Sequence, residues 1–239
     1  MKKHIINTSA FRYIFEIIVI VFSVTFSFYI QDVLNDKNKI ELKNIGLDGV
    51  KSDLKKDLDF FGDGIEVIYS RVKNIDSILN TEVENKNDFI SRGVKRYYGF
   101  IGQDSNYKSM ISTGSIEYIS SIKLFNLINQ YYGRDYDLLA DYSEQDENNF
   151  NDINNYINDN FFINSSNLVG VSNRWGYDSL YNINYDNSTL QKMKFDKKLI
   201  NRLINQRWMI RIYLTQLKLE IQTIRELNKF IDVELNENN

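Results

Sequence analysis

The chain has no cysteine, no proline and one histidine in 239 residues, and each shortage closes off a class of chemistry. Without cysteine there is no disulfide framework, thiolate nucleophile or cysteine-ligated metal. Without proline nothing fixes φ or removes a helical donor, so long uninterrupted helices can form. The histidine is His4, ahead of the longest apolar run, so a domain folded beyond that run has no imidazole for catalysis or metal binding. Neither sign of charge is in excess. With 29 basic and 32 acidic residues the net charge is -3, which gives no basic face for nucleic acid.

What is present is apolar surface. Hydrophobic content of 43% and aromatic content of 14% are enough for a packed core, and the length suits one domain plus an anchor. The abundance of Asn, Ile, Lys and Tyr reads as AT-rich coding and a bacterial background. Residues 13–30 read YIFEIIVIVFSVTFSFYI, and ten of the fourteen residues from Ile17 to Ile30 are Ile, Val or Phe. Eighteen helical residues cover about 27 Å, close to the hydrocarbon thickness of a thin bilayer. The Ile, Val and Phe residues contribute roughly -3 to -6 kcal/mol to insertion, against about +3 kcal/mol at worst for Glu16. Insertion wins. Bulky residues follow the run through Phe28, Tyr29 and Ile30, with no small-x-small cleavage pattern, so an uncleaved anchor is expected. Lys2, Lys3 and Arg12 before the run are nearly balanced by Lys37, Lys39 and Lys43 after it. The free amino terminus tips the expectation toward a cytoplasmic N-terminus in a bacterial inner membrane, with the bulk of the chain outside. The expected organisation is a short cytoplasmic tail (1–12), a transmembrane helix (13–31), a juxtamembrane connector (32–46) and a helical bundle (47–236).

Within the anchor, Ser23 and Ser27 have the small-xxx-small spacing that lets two helices approach closely. Glu16 either pairs with a partner helix or snorkels to the headgroups. Beyond it, Leu47, Val50, Leu54, Leu58, Phe61, Ile65, Ile68, Val72, Ile75 and Leu79 form one apolar stripe at helical spacing. Gly46 and Gly49 read as a possible hinge before the stripe, and Gly62 and Gly64 as a kink within it. A turn is expected over residues 81–88 and a short helix over 89–101. A second short helix carries Tyr107, Met110 and Ile111 and closes at Gly114. Ser120 or Ser121 then caps a helix running from Leu124 toward Leu139. Residues 141–160 continue as an exposed amphipathic helix. Residues 164–187 read as loop, with Trp175 and Tyr177 as docking points. A last helix opens with the Ser188 and Gln191 capping box and carries Ile210, Leu214, Leu217, Ile221, Ile224, Ile231 and Leu235, with Asn228 breaking the heptad. No segment shows sustained strand alternation. The expected fold is all-α: one N-terminal transmembrane helix followed by an antiparallel bundle of long amphipathic helices.

Chemical motifs are scarce. There is no phosphate-binding glycine loop or dinucleotide fingerprint. The alternation Asp141, Ser143, Gln145, Glu147 lacks the turn glycine and terminal glutamate of a calcium loop. No catalytic residue, metal site or cofactor is assigned. Arg211, Lys218 and Arg225 recur every seven residues on the last helix and form a basic stripe. It faces a partner or lipid headgroups, or else pairs inside the fold with Asp137, Asp141 or Glu144. Tyr97, Tyr98, Tyr131, Tyr132, Tyr136 and Trp175 either line a pocket or pack in the core.

Two stretches carry a resemblance. Phe15, Glu16, Ile17 and Ile18 lead through the anchor to Ile30, Gln31 and Asp32. Met110 to Ile116 form a serine-glycine turn, followed by Ile119, Leu124, Ile128 and the paired Tyr131 and Tyr132. Together they resemble a domain-of-unknown-function family of single-span bacterial membrane proteins with a glutamate-led anchor. Phe15 stands where that family tends to have glycine, and its tryptophan-asparagine pair is missing. The resemblance implies an N-terminal anchor and no known activity. The expectation is therefore a membrane-anchored, non-enzymatic interaction or scaffold protein of a cell-envelope complex. Its partners would be the lipid bilayer and another membrane protein or a homo-oligomer, with no nucleic acid. A ligand-sensing helical domain acting through a partner membrane protein is the alternative, and an enzyme using carboxylates and lysines ranks third.

Overall fold

The computed structural model describes residues 8–80, 82, 86–168 and 181–236. Helix α1 spans Thr8–Leu79, 72 residues without a break, or about 108 Å at 1.5 Å per residue. It contains the one helix among the described residues that is long and apolar enough to cross a membrane. From Arg12 to Leu42 every residue of α1 is exposed; from Lys43 onward one face is buried. That change of surroundings, with no change of backbone, marks where the bundle starts.

The remaining helices are α2 (Asn87–Gly93), α3 (Ser105–Thr113), α4 (Ile122–Gln130), α5 (Tyr136–Asn160), α6 (Asn187–Phe195) and α7 (Lys197–Asn236). A 3-10 turn (Ser115–Tyr118) links α3 to α4, and a π turn (Tyr131–Asp135) joins α4 to α5 without a loop. Helix α7 runs antiparallel to α1, and α5 packs against α7. The core is the expected stripe of α1 (Leu47, Val50, Leu54, Phe61, Ile68, Ile75) against Ile210, Leu217, Ile224 and Ile231 of α7. Each fully buried Leu or Ile contributes about 1.5–3 kcal/mol, so the long stripes dominate stability. The fold is the all-α bundle read from the sequence.

Local details differ. Helix α1 passes through Gly62 and Gly64 unbroken. Helix α2 stops at Gly93 rather than Ile101, because the chain beyond it is held by other bonds. The Tyr98 hydroxyl donates to the Phe60 carbonyl at 2.7 Å, and the Phe100 amide donates to Ser143 Oγ at 2.8 Å. Gly114 closes α3 with φ 71, the left-handed conformation glycine adopts without strain. Ser121 caps α4 by accepting from the Leu124 amide. At the C-terminal end, Asp186, not Ser188, caps α6, accepting from the Thr189 amide at 2.7 Å. The extended Asp196 then separates α6 from α7 and caps α7 through the Lys198 and Leu199 amides. Within the expected loop, Ser165–Leu168 and Tyr181–Asn184 form a two-stranded antiparallel ribbon with Ser165 opposite Asn184. Trp175 and Tyr177 lie outside the described residues.

The two mid-helix glycines of α1 give opposite expectations. A Cβ at Gly62 meets nothing within 4 Å, whereas one at Gly64 falls 2.5 Å from Cε1 of Tyr98. Gly62→Ala gains helix propensity alone and stabilises by about 0.5–1 kcal/mol. Gly64→Ala drives a tethered ring aside and costs about 1–3 kcal/mol, more than the propensity gained. Thermal unfolding followed by circular dichroism in mild detergent should place the two variants on opposite sides of the parent.

Candidate functional site

The apolar seam between α1 and α7 is interrupted by polar side chains at regular steps. Lys43, Asp57 and Arg71 recur every fourteen residues on α1, and Gln206, Glu220 and Glu234 recur every fourteen on α7. All six are buried. In antiparallel register the rows form three layers: Lys43 pairs with Glu234, Arg71 and Gln206 share Asp146, and Asp57 and Glu220 fall at the step midway, each with its own neighbours.

The two outer layers are neutralised. The Lys43 ammonium donates to Glu234 Oε1 at 2.6 Å, both side chains being 1% exposed. Glu234 also accepts from the Ser120 and Ser121 amides at 2.9 and 3.0 Å, which fixes the turn before α4. Burial pushes the Glu234 carboxyl up, but Lys43 and the two amides outweigh it and hold the group below its usual range. At the far layer the Arg71 guanidinium donates to both oxygens of Asp146, at 2.6 and 3.0 Å, with neither side chain exposed. Gln206 donates to the same carboxylate, so α1, α5 and α7 share one knot.

The middle layer holds two carboxyls and, among the described residues, no paired cation. Asp57 accepts from the Tyr131 hydroxyl at 3.1 Å, from the Tyr136 hydroxyl, and from the Gln103 amide at 3.0 Å. Burial pushes its pKa up to about 6 in spite of the hydrogen bonds from Tyr136, Tyr131 and Gln103, and nearby Asp53 adds to the rise. Glu220 is raised to about 7, by burial first and then by buried Asp135, against the Gln216 amide and Arg134. Its Oε2 has no hydrogen-bond partner among the described residues. The π turn carries both sets of neighbours: Tyr131 and adjoining Tyr136 for Asp57, Arg134 and Asp135 for Glu220. A π turn inserts a residue into a helix and is frequent at functional sites. Chemically, this layer can take up and release protons near neutrality. Among the described residues no group of three His, Asp or Glu side chains could hold a metal.

The residues singled out from the sequence are placed as follows. Glu16 pairs with Arg12 one turn back at 3.1 Å, on the exposed apolar part of α1. Ser23 and Ser27 donate their hydroxyls to the carbonyls of Val19 and Ser23. Gly46 and Gly49 sit inside unbroken helix as close-approach points: a Cβ at Gly46 would fall 2.6 Å from Cγ of Met110, and one at Gly49 would strike Asn106. Arg211 joins Arg207 on Asp76, at 3.2 and 2.9 Å, and not Asp137, Asp141 or Glu144. Lys218 and Arg225 are exposed and have no ion pair among the described residues. The calcium-like segment is continuous helix in α5, where Ser143 binds the Tyr97 hydroxyl and the Phe100 amide. The tyrosines pack on one another: Tyr107 stacks on Tyr132 at 4.6 Å, and Tyr131 meets Tyr136 at 5.1 Å. The three polar layers escaped the sequence reading. Their signal was present, since Lys43, Asp57 and Arg71 keep the stripe's own helical phase.

Comparison with protein-family models, curated proteins and solved structures finds no match to this chain.

A carboxyl raised by folding binds its proton more tightly in the native state. The stability it confers is full below the unfolded pKa and falls as pH rises through the folded value. For Asp57 that window runs from 3.8 to about 6. Asp57→Asn should raise Tm at about pH 8 and change it little at about pH 4. Equal shifts at both values would show that the variant acts by packing alone. Arg71→Met should cost about 3–5 kcal/mol in urea unfolding, because Asp146 is left buried without a counter-charge. Adding Asp146→Leu should recover much of that loss.

Proposed function

We propose that this chain is a membrane-tethered, non-enzymatic interaction protein, serving as a scaffold or accessory subunit in a bacterial cell-envelope complex. The observation that carries the reading is the first thirty described residues of α1. An 18-residue window there has a mean hydropathy of 2.1 and none of it is buried. Side chains such as Ile20 and Phe22, 62% and 69% exposed, have no cover among the described residues. A continuous apolar helix of that length left in water is strongly unfavourable, and a bilayer is the cover its dimensions fit. In this reading residues 13–31 cross the inner membrane, the N-terminal tail is cytoplasmic, and the bundle stands outside. The interaction role follows from where the reactive groups are spent. The buried cations Lys43 and Arg71 are absorbed in ion pairs that tie helices together, which builds a rigid body rather than a reactive cleft.

Sensing is the second reading, and the middle acid layer favours it. Asp57 titrates near neutrality on the same helix that enters the membrane, beside a π turn able to repack. At the distal end, Ile78, Ile90, Ile157 and Leu203 enclose an apolar cavity of about 70 Å³ with Lys86 and Lys194 at its wall. A sensor built this way would act through a partner membrane protein.

Carbonate extraction of membranes carrying the full chain should leave it in the pellet, and mild-detergent purification should recover it with a stable partner or as an oligomer. Release into the supernatant would overturn the anchor. A solitary monomer in detergent would overturn the scaffold role.

A further inference from the structure

We infer that two copies of this chain pair in parallel along the bare part of α1, forming a left-handed coiled coil that crosses the bilayer and reaches the bundle. The inference rests on the anchor reading and names the partner as the chain itself.

The bare part of α1 carries a heptad pattern that the bundle does not use. Val19, Phe26, Val33 and Ile40 recur every seven residues, all exposed and all apolar. A second row at the neighbouring core position holds Ser23, Ile30, Lys37 and Asn44, also seven apart. A strict seven-residue repeat in a 3.6-residue helix keeps its seam against a partner only by left-handed supercoiling. Beyond the apolar run the same open face of α1 carries Val33, Lys37, Ile40 and Asn44, flanked by Asp36 and Glu41.

Direction matters as much as pattern. At about 100° per residue, the seam through Ile40 and Asn44 lies roughly a quarter turn from the row that enters the bundle through Lys43 and Val50. A two-fold axis along the seam therefore places the two bundles on opposite sides of the paired stalks. Copies inserted in one membrane in the same sense point the same way, so the parallel arrangement is the one available.

The polar positions fit a second copy. Lys37 at a core position lies beside the partner's Asp36, with the partner's Glu41 within reach of its long side chain. Asn44 is half-buried, and its amide Oδ1, shielded by its own bundle, has no hydrogen-bond partner among the described residues. A turn about χ2 lets it accept from the partner's Asn44, the contact by which a core asparagine selects a dimer in fixed register.

The chain has no cysteine, so the test needs no background removal. Single replacements Val33→Cys, Ile40→Cys and Asn44→Cys lie on the seam, and Asn35→Cys and Leu42→Cys lie on the opposite side. Val33, Asn35, Ile40 and Leu42 are exposed, so their replacement leaves the bundle core untouched, and half-buried Asn44 is read beside them. Full-length variants in native membranes are oxidised and run without reductant. Pairing predicts severalfold more disulfide-linked dimer from the three seam positions than from the two others. No dimer, or equal yields around the helix, overturns it. Carbonate extraction of the same membranes reads the anchor separately. A chain in the pellet without seam cross-links loses the pairing and keeps the anchor. A chain in the supernatant loses the anchor, and the cross-linking pattern still decides the pairing.

Discussion

The ion pair between Lys43 and Glu234 determines where the bundle ends and the bare helix begins. Both charges are withdrawn from water, which costs several kcal/mol per ion before their attraction offsets it. Such a pair adds little net stability compared with two well-packed apolar residues. What it supplies is register. A slip of seven residues between α1 and α7 keeps every apolar stripe in place but sets Lys43 against Leu227 and Arg71 against Leu199. Lys43 would then be buried without a partner, and Gln206 would be lost from the knot around Asp146. Two nearly featureless apolar stripes are thus held in a single alignment by groups that contribute little else, and the exposed length of α1 is set by the same contact.

The middle layer departs from that logic. Asp57 and Glu220 occupy a step where a cation would have completed the pattern, and burial instead raises both carboxyls, to about 6 and about 7. Tyrosine hydroxyls and a backbone amide supply the hydrogen bonds to Asp57, and the π turn is the geometry that brings Tyr131 and Tyr136 to one carboxylate together. On an unbroken α-helix, residues five apart point in different directions, so the extra residue is what lets them converge. The outer layers fix the bundle at both ends, and its softest electrostatics lie between them.

The long helices were legible because their signal is repetitive. Ten apolar residues at intervals of three and four leave no other reading of α1, and the absence of proline lets it run on. The polar layers were not read because the period was counted over apolar residues, although Lys43, Asp57 and Arg71 obey it too. Gly46 and Gly64 misled in a different way. Glycine signals either freedom or close approach, and only Met110 and Tyr98, brought in from distant sequence, decide for close approach. The stretch after Gly93 has helical spacing on paper. It is drawn out because Ser143 and the Phe60 carbonyl bind it from other elements, and a local pattern cannot see those partners. The stripe of Arg211, Lys218 and Arg225 was seen as a unit but is divided by its surroundings. One member reaches Asp76 across the α1–α7 seam, and the other two sit on α7 facing water.

A helix that serves two solvents must be stiff where they meet. Helix α1 passes from its apolar run to the bundle without proline, without a break, and with its juxtamembrane glycines pressed against Met110 and Asn106. A hinge there would need those contacts to open. Closed, they make the bare helix and the bundle one continuous element, so that a rotation of α1 at the Asp57 layer would carry the apolar run with it. Because the exposed heptad seam lies to one side of the bundle-facing row, such a rotation would turn the seam toward or away from whatever it packs against. The placement of the acid layer and of the unpartnered seam on one rigid helix thus joins the two readings of this protein. In the proposed scaffold the seam would stay engaged, and in the alternative proposal of a sensor the middle layer would change its charge.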